Sequence, residues 1–174
     1  MNKDQINKMP EYFERYINYV QESDILDALQ KYDIEYLLQE KSTLKLIGHQ
    51  VYAPGKWTIR DILQHVIDTE RIFSYRALRI ARNDKTLLPG FDENLFANNA
   101  HGALRKLDDL LNEFDMVRKS TIALYSSFSE EDLQREGFIF QSDISVLAIG
   151  FTISGHVIHH MNVISERYYP LIQL

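Results

Sequence analysis

The last predicted helix of the chain contains the stretch that decides the fold, Ser154-Gly155-His156-Val157-Ile158-His159-His160-Met161. Three of the six histidines in the 174-residue chain lie within it. His156 and His160 are four residues apart, so on a helix they lie one above the other on the same face. That face is otherwise apolar, and the two imidazoles stand where the helix elsewhere has Ile149, Ile153 and Ile164.

Two histidines on an apolar face require partners, because an unpaired buried polar group is energetically costly. One partner is a metal ion, since histidines four residues apart on a helix are a recurrent way to bind one. The other is a carbonyl or carboxylate oxygen, which would satisfy an ordinary core histidine. This helix by itself leaves both interpretations open.

A second helix also places a histidine on its apolar side. Thr58 can cap the start of this helix, and Asp61 can bond back to the cap from the third helical position. We expect the helix to run to about Arg82, with His65 in its buried stripe. Three histidines from two helices leave coordination positions open, which is typical of catalytic rather than structural metal sites.

Composition and motifs narrow the chemistry further. The chain has no cysteine, so any metal must be bound by His, Asp or Glu. Its net charge of -6 argues against a nucleic-acid-binding surface. No histidine has a glutamate three residues before it, as the diiron bundles require. Val157 stands where the HExxH zinc-protease motif has its glutamate.

The length and the first residues of the chain favour one cytoplasmic domain. At 174 residues, we expect a single helical-bundle domain that spans residues 1–174. Residues 1–20 lack the continuous apolar run of a signal peptide, and no segment has the length needed to span a bilayer. We therefore expect a cytoplasmic protein without a membrane partner.

Several segments resemble a known family. They are Tyr52–Arg71, Tyr75–Arg76, Leu88–Asp92, Glu113–Phe114 with Arg118, Gly155–His160 and Glu166–Tyr168. Together they resemble the DinB-like superfamily, and most closely its second branch of small bacterial proteins. The resemblance extends over about residues 52–168. It implies an all-α fold, a four-helix bundle with up-down-down-up connectivity and short extra helices.

The same resemblance implies a metal site. The family's three metal ligands map onto His65, His156 and His160, and all three positions are histidine in this chain. One divalent transition metal per chain is implied, with zinc or nickel expected first and manganese or iron next. A homodimer is a further expectation, because relatives often pair through bundle faces.

The resemblance also implies a class of reaction. Some members of the superfamily are S-transferases that use a low-molecular-weight thiol, such as bacillithiol, mycothiol or glutathione. A thiol S-transferase or a hydrolase acting on small electrophiles in detoxification or stress is therefore implied. The alternatives are a metal-binding stress protein without turnover and a helical interaction protein whose histidines are merely buried.

The other histidines have less specific predictions. His159 falls beside the stripe, so we expect it to support the site or to lie at the surface rather than to bind the ion. His49 lies in a predicted loop and His101 just before a helix, and both are expected at the surface. Asp68, His159 or a loop residue could accept a proton during a reaction.

Arg76 follows His65 by eleven residues and therefore shares its helical face. It would either bind an anionic group of a substrate or, as we favour from the sequence, pair with Glu113 or Glu166 inside the bundle. Glu70 and Arg71 are expected in surface or interhelical salt bridges.

The connecting segments give weaker signals. We expect a helix from Pro10, a second helix capped by Ser23, and a loop over Ser42–Gly55. Residues 137–142 are expected to link a short helix to the last one. Tyr168 and Tyr169 are expected to form an exposed aromatic surface suited to a dimer.

Overall fold

The computed structural model describes residues 1–139 and 142–172 and is mainly helical. Its helices are α1 (Glu14–Ile17), α2 (Ile25–Lys31), α3 (Ile34–Leu38), α4 (Lys41–Ile47), α5 (Ile59–Ala81), α6 (Glu93–Ala100), α7 (Leu107–Ser126), α8 (Glu130–Gln134) and α9 (Val146–Arg167). Short 3-10 helices cover Lys3–Gln5, Gly102–Leu104 and Tyr169–Leu171. The strands β1 (Glu136–Ile139) and β2 (Ser142–Ser145) form one antiparallel hairpin. The predicted helical class is confirmed, with this hairpin as an addition.

The long helices α5 and α7 run parallel to each other. Arg71 of α5 forms a 2.5 Å salt bridge with Glu113 of α7. Farther along both helices, the hydroxyl of Ser74 lies 3.0 Å from that of Thr121. Because the residue numbers of the contacting pairs increase together on both helices, α5 and α7 point in the same direction. The segment that connects them must therefore run back along the length of the bundle. Helix α6 lies in this connection.

Helix α9 and the segment α2–α4 run in the opposite direction. Tyr168, just after α9, donates to the carbonyl oxygen of Trp57, just before α5 (2.5 Å). Lys41 of α4 pairs with Asp108 in the first turn of α7 (2.7 Å), whereas the end of α2 contacts Arg118 much farther along that helix. The four members of the bundle, which are the segment α2–α4 and the helices α5, α7 and α9, therefore have up-down-down-up connectivity, as the resemblance implied.

The predicted start of α5 is confirmed in detail, and α9 begins with a similar cap. The Thr58 hydroxyl accepts from the backbone N–H of Asp61 (3.2 Å), and the Asp61 carboxylate accepts from the backbone N–H of Thr58 (3.0 Å). Ser145 caps α9 by accepting from the N–H of Ala148 (3.1 Å). Ser129 caps α8 in the same way. These caps fix where the two histidine-bearing helices begin, and hence which residues face each other across the bundle.

The first member of the bundle is broken, in contrast to the continuous helices predicted after Pro10 and Ser23. Only the single turn of α1 follows Pro10. Asp24, not Ser23, caps α2, because its carboxylate accepts from the N–H of Leu26 (2.8 Å). Asp33 then caps α3. Aspartate competes with the helical backbone by bonding to nearby N–H groups, so each one starts a new short helix.

The loop predicted over Ser42–Gly55 is wrong in its first part. Helix α4 occupies Lys41–Ile47 and buries Leu44 and Ile47 against the second half of the core. It ends at Gly48, whose φ of +64° is a conformation that glycine adopts readily. Only two apolar residues of α4 are buried, and so short a stripe gives little periodic signal in the sequence.

The link predicted over residues 137–142 is instead the hairpin of β1 and β2, with residues 140 and 141 outside the described part. Ile139 and Ile144 are fully buried against the core. Gly137 lies against the side chain of Ile80, where a Cβ would overlap it. Strands of four residues are too short to show a clear alternation of apolar and polar residues in the sequence. Packing against α5 therefore determines this hairpin.

The aromatic pair after α9 does not form the exposed surface predicted for it. Tyr168 is 1% exposed. The Tyr169 hydroxyl donates to the Glu40 carboxylate (2.5 Å) and is only partly exposed. These hydrogen bonds fasten the end of α9 to the start of α5 and to the residue before α4.

The core consists of two apolar clusters with polar residues buried at their boundary. One cluster includes Phe73 of α5 and Ile149 of α9, and the other includes Ile62 of α5 and Met161 of α9. The residues buried at the boundary are polar: His65, Thr69, Glu70, Arg118 and His156. Within the described residues, no helix is long and apolar enough to cross a bilayer.

Candidate metal centre

His65, His156 and His160 converge at one point between α5 and α9. The Nε2 atom of His156 lies 3.2 Å from that of His65 and 3.0 Å from that of His160. The ligand atoms of all three lie within 4.8 Å of one another. The structure thus brings together the three predicted histidines, two from adjacent turns of α9 and one from the facing side of α5.

These distances fit a common metal ion. Two nitrogens bound to one ion at about 2.0–2.1 Å lie about 2.8–3.4 Å apart for bond angles between octahedral and tetrahedral. Hydrogen bonding fits the arrangement less well. The Nε2 atom of an imidazole has one in-plane lone pair or one proton, so that of His156 cannot bond well to both neighbours at once. A cation at the centre of the three would meet every lone pair.

Neighbouring side chains hold the rings in place. The Thr69 hydroxyl lies 3.5 Å from Nδ1 of His65, on the side away from the other histidines. The Trp57 ring packs on His65 at a centroid distance of 5.0 Å, and the Tyr16 ring packs edge-on against His156 at 5.4 Å. Groups that fix the orientation of a ligating imidazole commonly support metal affinity.

Burial makes all three histidines poor bases. Desolvation, with a smaller contribution from His159, lowers the pKa of His65 to about 4. Desolvation also lowers the pKa of His156 and of His160 well below the ordinary histidine value, and neighbouring histidine charges add to this effect. Each ring is therefore neutral at pH 7, which is the protonation state that binds a metal.

A cavity of about 220 Å³ opens onto the triad from the side of His65 and His156. We call it the metal cavity. It is lined by aromatic and polar residues that include Tyr16, Thr69, Phe73, Arg76, Phe91 and Thr152. A small molecule in this cavity would therefore meet both an apolar wall and two of the three imidazoles.

A second cavity of about 220 Å³ reaches the triad through His160 instead. We call it the His160 cavity. Its walls include Tyr52, Lys56, Trp57, Asn94 and Tyr168. The triad is thus approached by two cavities that share no lining residue.

A sequence model of the DinB superfamily matches residues 4–164 of this chain. The chain belongs to the DinB superfamily. The resemblance seen in the sequence is therefore confirmed, and the match extends toward the N-terminus beyond the segments that suggested it. No curated protein sequence matches this DinB chain.

Among solved structures, the DinB chain is similar to YfiT from Bacillus subtilis. The TM-score is 0.67 at 16% sequence identity, and the match covers 98% of this chain and 93% of YfiT. YfiT is described as a probable metal-dependent hydrolase with an unusual four-helix bundle topology. At this identity, the similarity establishes the shared fold.

The other histidines of this DinB protein lie apart from the three converging nitrogens. His159 is partly exposed and packs on Tyr16 and Tyr19, with centroid distances of 5.3 and 6.0 Å. His49 is exposed and contacts the Arg60 guanidinium at 2.6 Å. His101 is exposed and ends α6 in the left-handed conformation.

The charged residues of α5 take different roles. Asp68 accepts from the side-chain amide of Gln64 (3.0 Å) and does not line the metal cavity, so its geometry does not favour a proton-transfer role. Glu70 and Arg71 each form an interhelical salt bridge to α7, as predicted. The favoured pairing of Arg76 with Glu113 or Glu166 is wrong, because Arg76 donates to a backbone carbonyl and lines the metal cavity.

Sequence reasoning missed the part that α1 plays in the site. Tyr16 lines the metal cavity, and its backbone passes so close to Gly155 that a Cβ there would overlap the Tyr16 carbonyl group. In the sequence, Tyr16 belongs to an ordinary apolar stripe. The usable signal was Gly155, since a glycine inside a helix often marks a close approach of another backbone.

Proposed function

We propose that this protein is a metal-dependent enzyme in which His65, His156 and His160 bind one divalent cation. The observation that carries the proposal is the convergence of three Nε2 atoms beside a cavity of about 220 Å³. Zinc or nickel suits three neutral imidazoles, and manganese or iron is the next choice. The substrate we propose is a small electrophilic molecule.

The ion would lower the pKa of a bound water or thiol and polarise the electrophile. The residues of the chain contribute position and exclusion of water. The rings of Tyr16, Phe73 and Phe91 form the apolar wall against which the substrate would lie. Thr69 keeps the His65 ring oriented through Nδ1.

The proton released by the attacking group needs an acceptor. Two carboxylates, Asp92 and Glu93, line the metal cavity. Asp92 already accepts from two backbone N–H groups at the start of α6. We therefore assign the proton to a carboxylate oxygen of Glu93, whose side chain is exposed and can pass it to solvent.

Hydrolysis and thiol transfer are the two reactions that this site supports. Hydrolysis agrees with the description of YfiT, which has the same fold. Transfer of a low-molecular-weight thiol to the electrophile is favoured by the two separate cavities, because a transferase must admit two organic reactants. In that case the electrophile would occupy the metal cavity and the thiol the His160 cavity.

A non-catalytic metal-binding protein is the competing function. Such a site is usually closed by a fourth protein ligand. In residues 1–139 and 142–172, the candidate group consists of three histidines and has no fourth member. The open cavity beside it favours turnover.

Metal content tests the proposal first. Protein purified without an affinity metal should contain about one divalent transition ion per chain by mass spectrometry, on the three-ligand logic. No ion after purification, and none taken up from added zinc or nickel, would refute the metal site.

Activity is tested next. The metal-loaded protein is assayed for hydrolysis with p-nitrophenyl acetate, and for thiol transfer with 1-chloro-2,4-dinitrobenzene plus glutathione, cysteine or bacillithiol. His65→Ala is the inactive control.

A further inference from the structure

Arg76 is a buried cation on the wall of the metal cavity. It lies three helical turns after His65, about 16 Å along the axis of α5, and it is 3% exposed. Arg76, His65 and His156 all line the same cavity. Arginine stays protonated in proteins, so the wall carries a positive charge that has lost most of its water.

The partners of Arg76 leave this charge without a carboxylate. Its Nη2 donates to the carbonyl oxygen of Pro89 (2.8 Å). Its guanidinium carbon lies 5.4 Å from the ring centroid of Phe73 and 5.8 Å from that of Phe91. Among the described residues, no carboxylate oxygen lies within 4.0 Å of a guanidinium nitrogen of Arg76, the limit for a salt bridge. One carbonyl and two ring faces satisfy few of its N–H donors.

Arg118 shows what a satisfied arginine looks like in the same bundle. It is 0% exposed and pairs with both carboxylate oxygens of Glu70 at 2.8 Å each. It also donates to the carbonyl oxygens of Leu29 and Tyr32. Both arginines are buried, but Arg76 also lines the metal cavity, so a ligand there can reach the N–H donors that the chain leaves free.

The carboxylates near Arg76 shape the kind of anion that fits. Asp92 lines the metal cavity but uses its Oδ1 to cap α6, with N–H donors at 2.9 and 3.0 Å. Glu93 also lines the cavity and is exposed. Two negative groups at the cavity wall disfavour a doubly charged ligand, because like charges repel. A single negative charge on an apolar body fits the wall better than a phosphate.

We propose that Arg76 binds the carboxylate of a small monoanionic ligand whose apolar body lies against Phe73 and Phe91. The planar guanidinium matches a carboxylate through two parallel hydrogen bonds. As a statement about the substrate, this rests on the proposed function, since the other end of the ligand would reach the histidine triad. As a statement about binding, it holds without metal.

The test compares matched acids and amides. Benzoate, phenylacetate and 3-phenylpropanoate, each with its primary amide, are titrated into metal-free protein and followed by calorimetry. At least one acid should bind about tenfold or more tighter than its amide, as expected for hydrogen bonds to a charged group. Equal binding of every acid and its amide, or no binding by any acid, overturns the proposal.

Variants locate the anion. Arg76→Met should reduce the binding of the preferred acid to the level of its amide, and Arg76→Lys should retain part of it. Arg79→Met is the matched control on the same helix, because Arg79 pairs with Asp84 outside the metal cavity. Acid binding that survives Arg76→Met refutes the proposal. The acid-amide comparison in the unaltered protein decides the matter even if a variant fails to fold.

The same titrations separate this inference from the metal site. His156→Ala should lose the metal and keep the acid, whereas Arg76→Met should lose the acid and keep the metal. An acid site in a protein that takes up no metal would refute only the proposed function. A metal-loaded protein without any preference for acids would refute only the role of Arg76.

Discussion

Glu70 and His65 lie five residues apart on α5, and both are buried, yet the groups that complete them differ. Arg118 meets Glu70 with two hydrogen bonds of 2.8 Å, so each charge finds its complement within the chain. His65 instead faces His156, a second neutral imidazole, at 3.2 Å. With His160, three neutral imidazoles then lie together, with ligand atoms within 4.8 Å of one another. A buried polar cluster whose charges balance, such as Glu70 with Arg118, stabilises the fold. A buried cluster of neutral imidazoles without a cation, such as the histidine triad, can bind one.

The largest effect on stability is expected from removing one partner of the Glu70–Arg118 salt bridge. Glu70→Ala would leave Arg118 as an uncompensated buried charge, which typically costs about 3–5 kcal/mol. We expect that loss in the free energy of unfolding of the metal-free protein, measured by urea denaturation.

Two controls sharpen this prediction. Glu113→Ala removes a partly exposed carboxylate that also pairs with arginine, and it should cost about 1 kcal/mol or less. Replacing Glu70 and Arg118 together by methionine should recover much of the loss, because no charge stays behind. If Glu70→Ala costs no more than Glu113→Ala, the buried pair does not stabilise the bundle as described.

The next largest effect concerns the histidine triad. His156→Ala removes the imidazole that touches both others, and metal affinity should fall on the order of a hundred- to a thousandfold, as one ligand's share of a metal site. His65→Ala and His160→Ala should do the same. The metal-free variants should still unfold as cooperatively as the unaltered protein, because the apolar clusters do not depend on the ion. Unchanged metal titrations for any of the three variants would remove that residue from the site.

A smaller effect is expected from pH. An ordinary histidine loses metal to protons near pH 6.5. Burial lowers the pKa of His65 to about 4 and that of the other two histidines as well, so protons compete only at lower pH. The metal affinity of the folded protein should change by less than about threefold between pH 7 and 5.5.

The stability of the metal-free protein should depend on pH over a higher range than its metal affinity does. Its unfolded chain takes up protons near pH 6.5, whereas the folded chain does not until about pH 4 for His65. Stability is therefore fully present above 6.5 and is lost as pH falls toward 4. Metal affinity that already drops tenfold per pH unit from 6.5 would mean that the triad is solvated.

The smallest effect is expected at His159. Its ring lies 5.0 Å from that of His160 but packs on Tyr16 and Tyr19 rather than pointing at the triad. His159→Ala should change metal affinity by less than about tenfold, below the usual effect of a group bonded to a ligand. This variant is the matched control for His160→Ala. If it strips the metal while His160→Ala keeps it, the pair His156 and His159 must be the one that binds.

The sequence predicts α5, α9 and the position of the three histidines because the signals there are strong and local. Thr58 with Asp61 marks the start of α5, and both helices carry long apolar stripes. The apolar stripe predicted for α9 was nevertheless narrower than its buried surface in the structure, where every residue from 146 to 158 is buried. The spacing of His156 and His160 was informative because it required only the helical repeat.

The rest depends on contacts between distant residues. The hairpin forms because Gly137 fits against Ile80, and no local pattern shows that. Arg76 could be placed on the face of His65 from the sequence, but not beside Pro89 and away from Glu113, because the long connection that carries Pro89 has no periodicity of its own. The pairing of Glu70 with Arg118 likewise could not be predicted without knowing that α5 and α7 are parallel.

The separation of His65 and His156 by 91 residues limits when the proposed metal site can form during synthesis. A ribosome adds about 5–20 residues per second, so roughly 5–20 s pass between the synthesis of the two. During that interval the nascent chain offers a metal only one of the three imidazoles. An ion that needs all three histidines would therefore be bound only after the ribosome has synthesised the chain through His160.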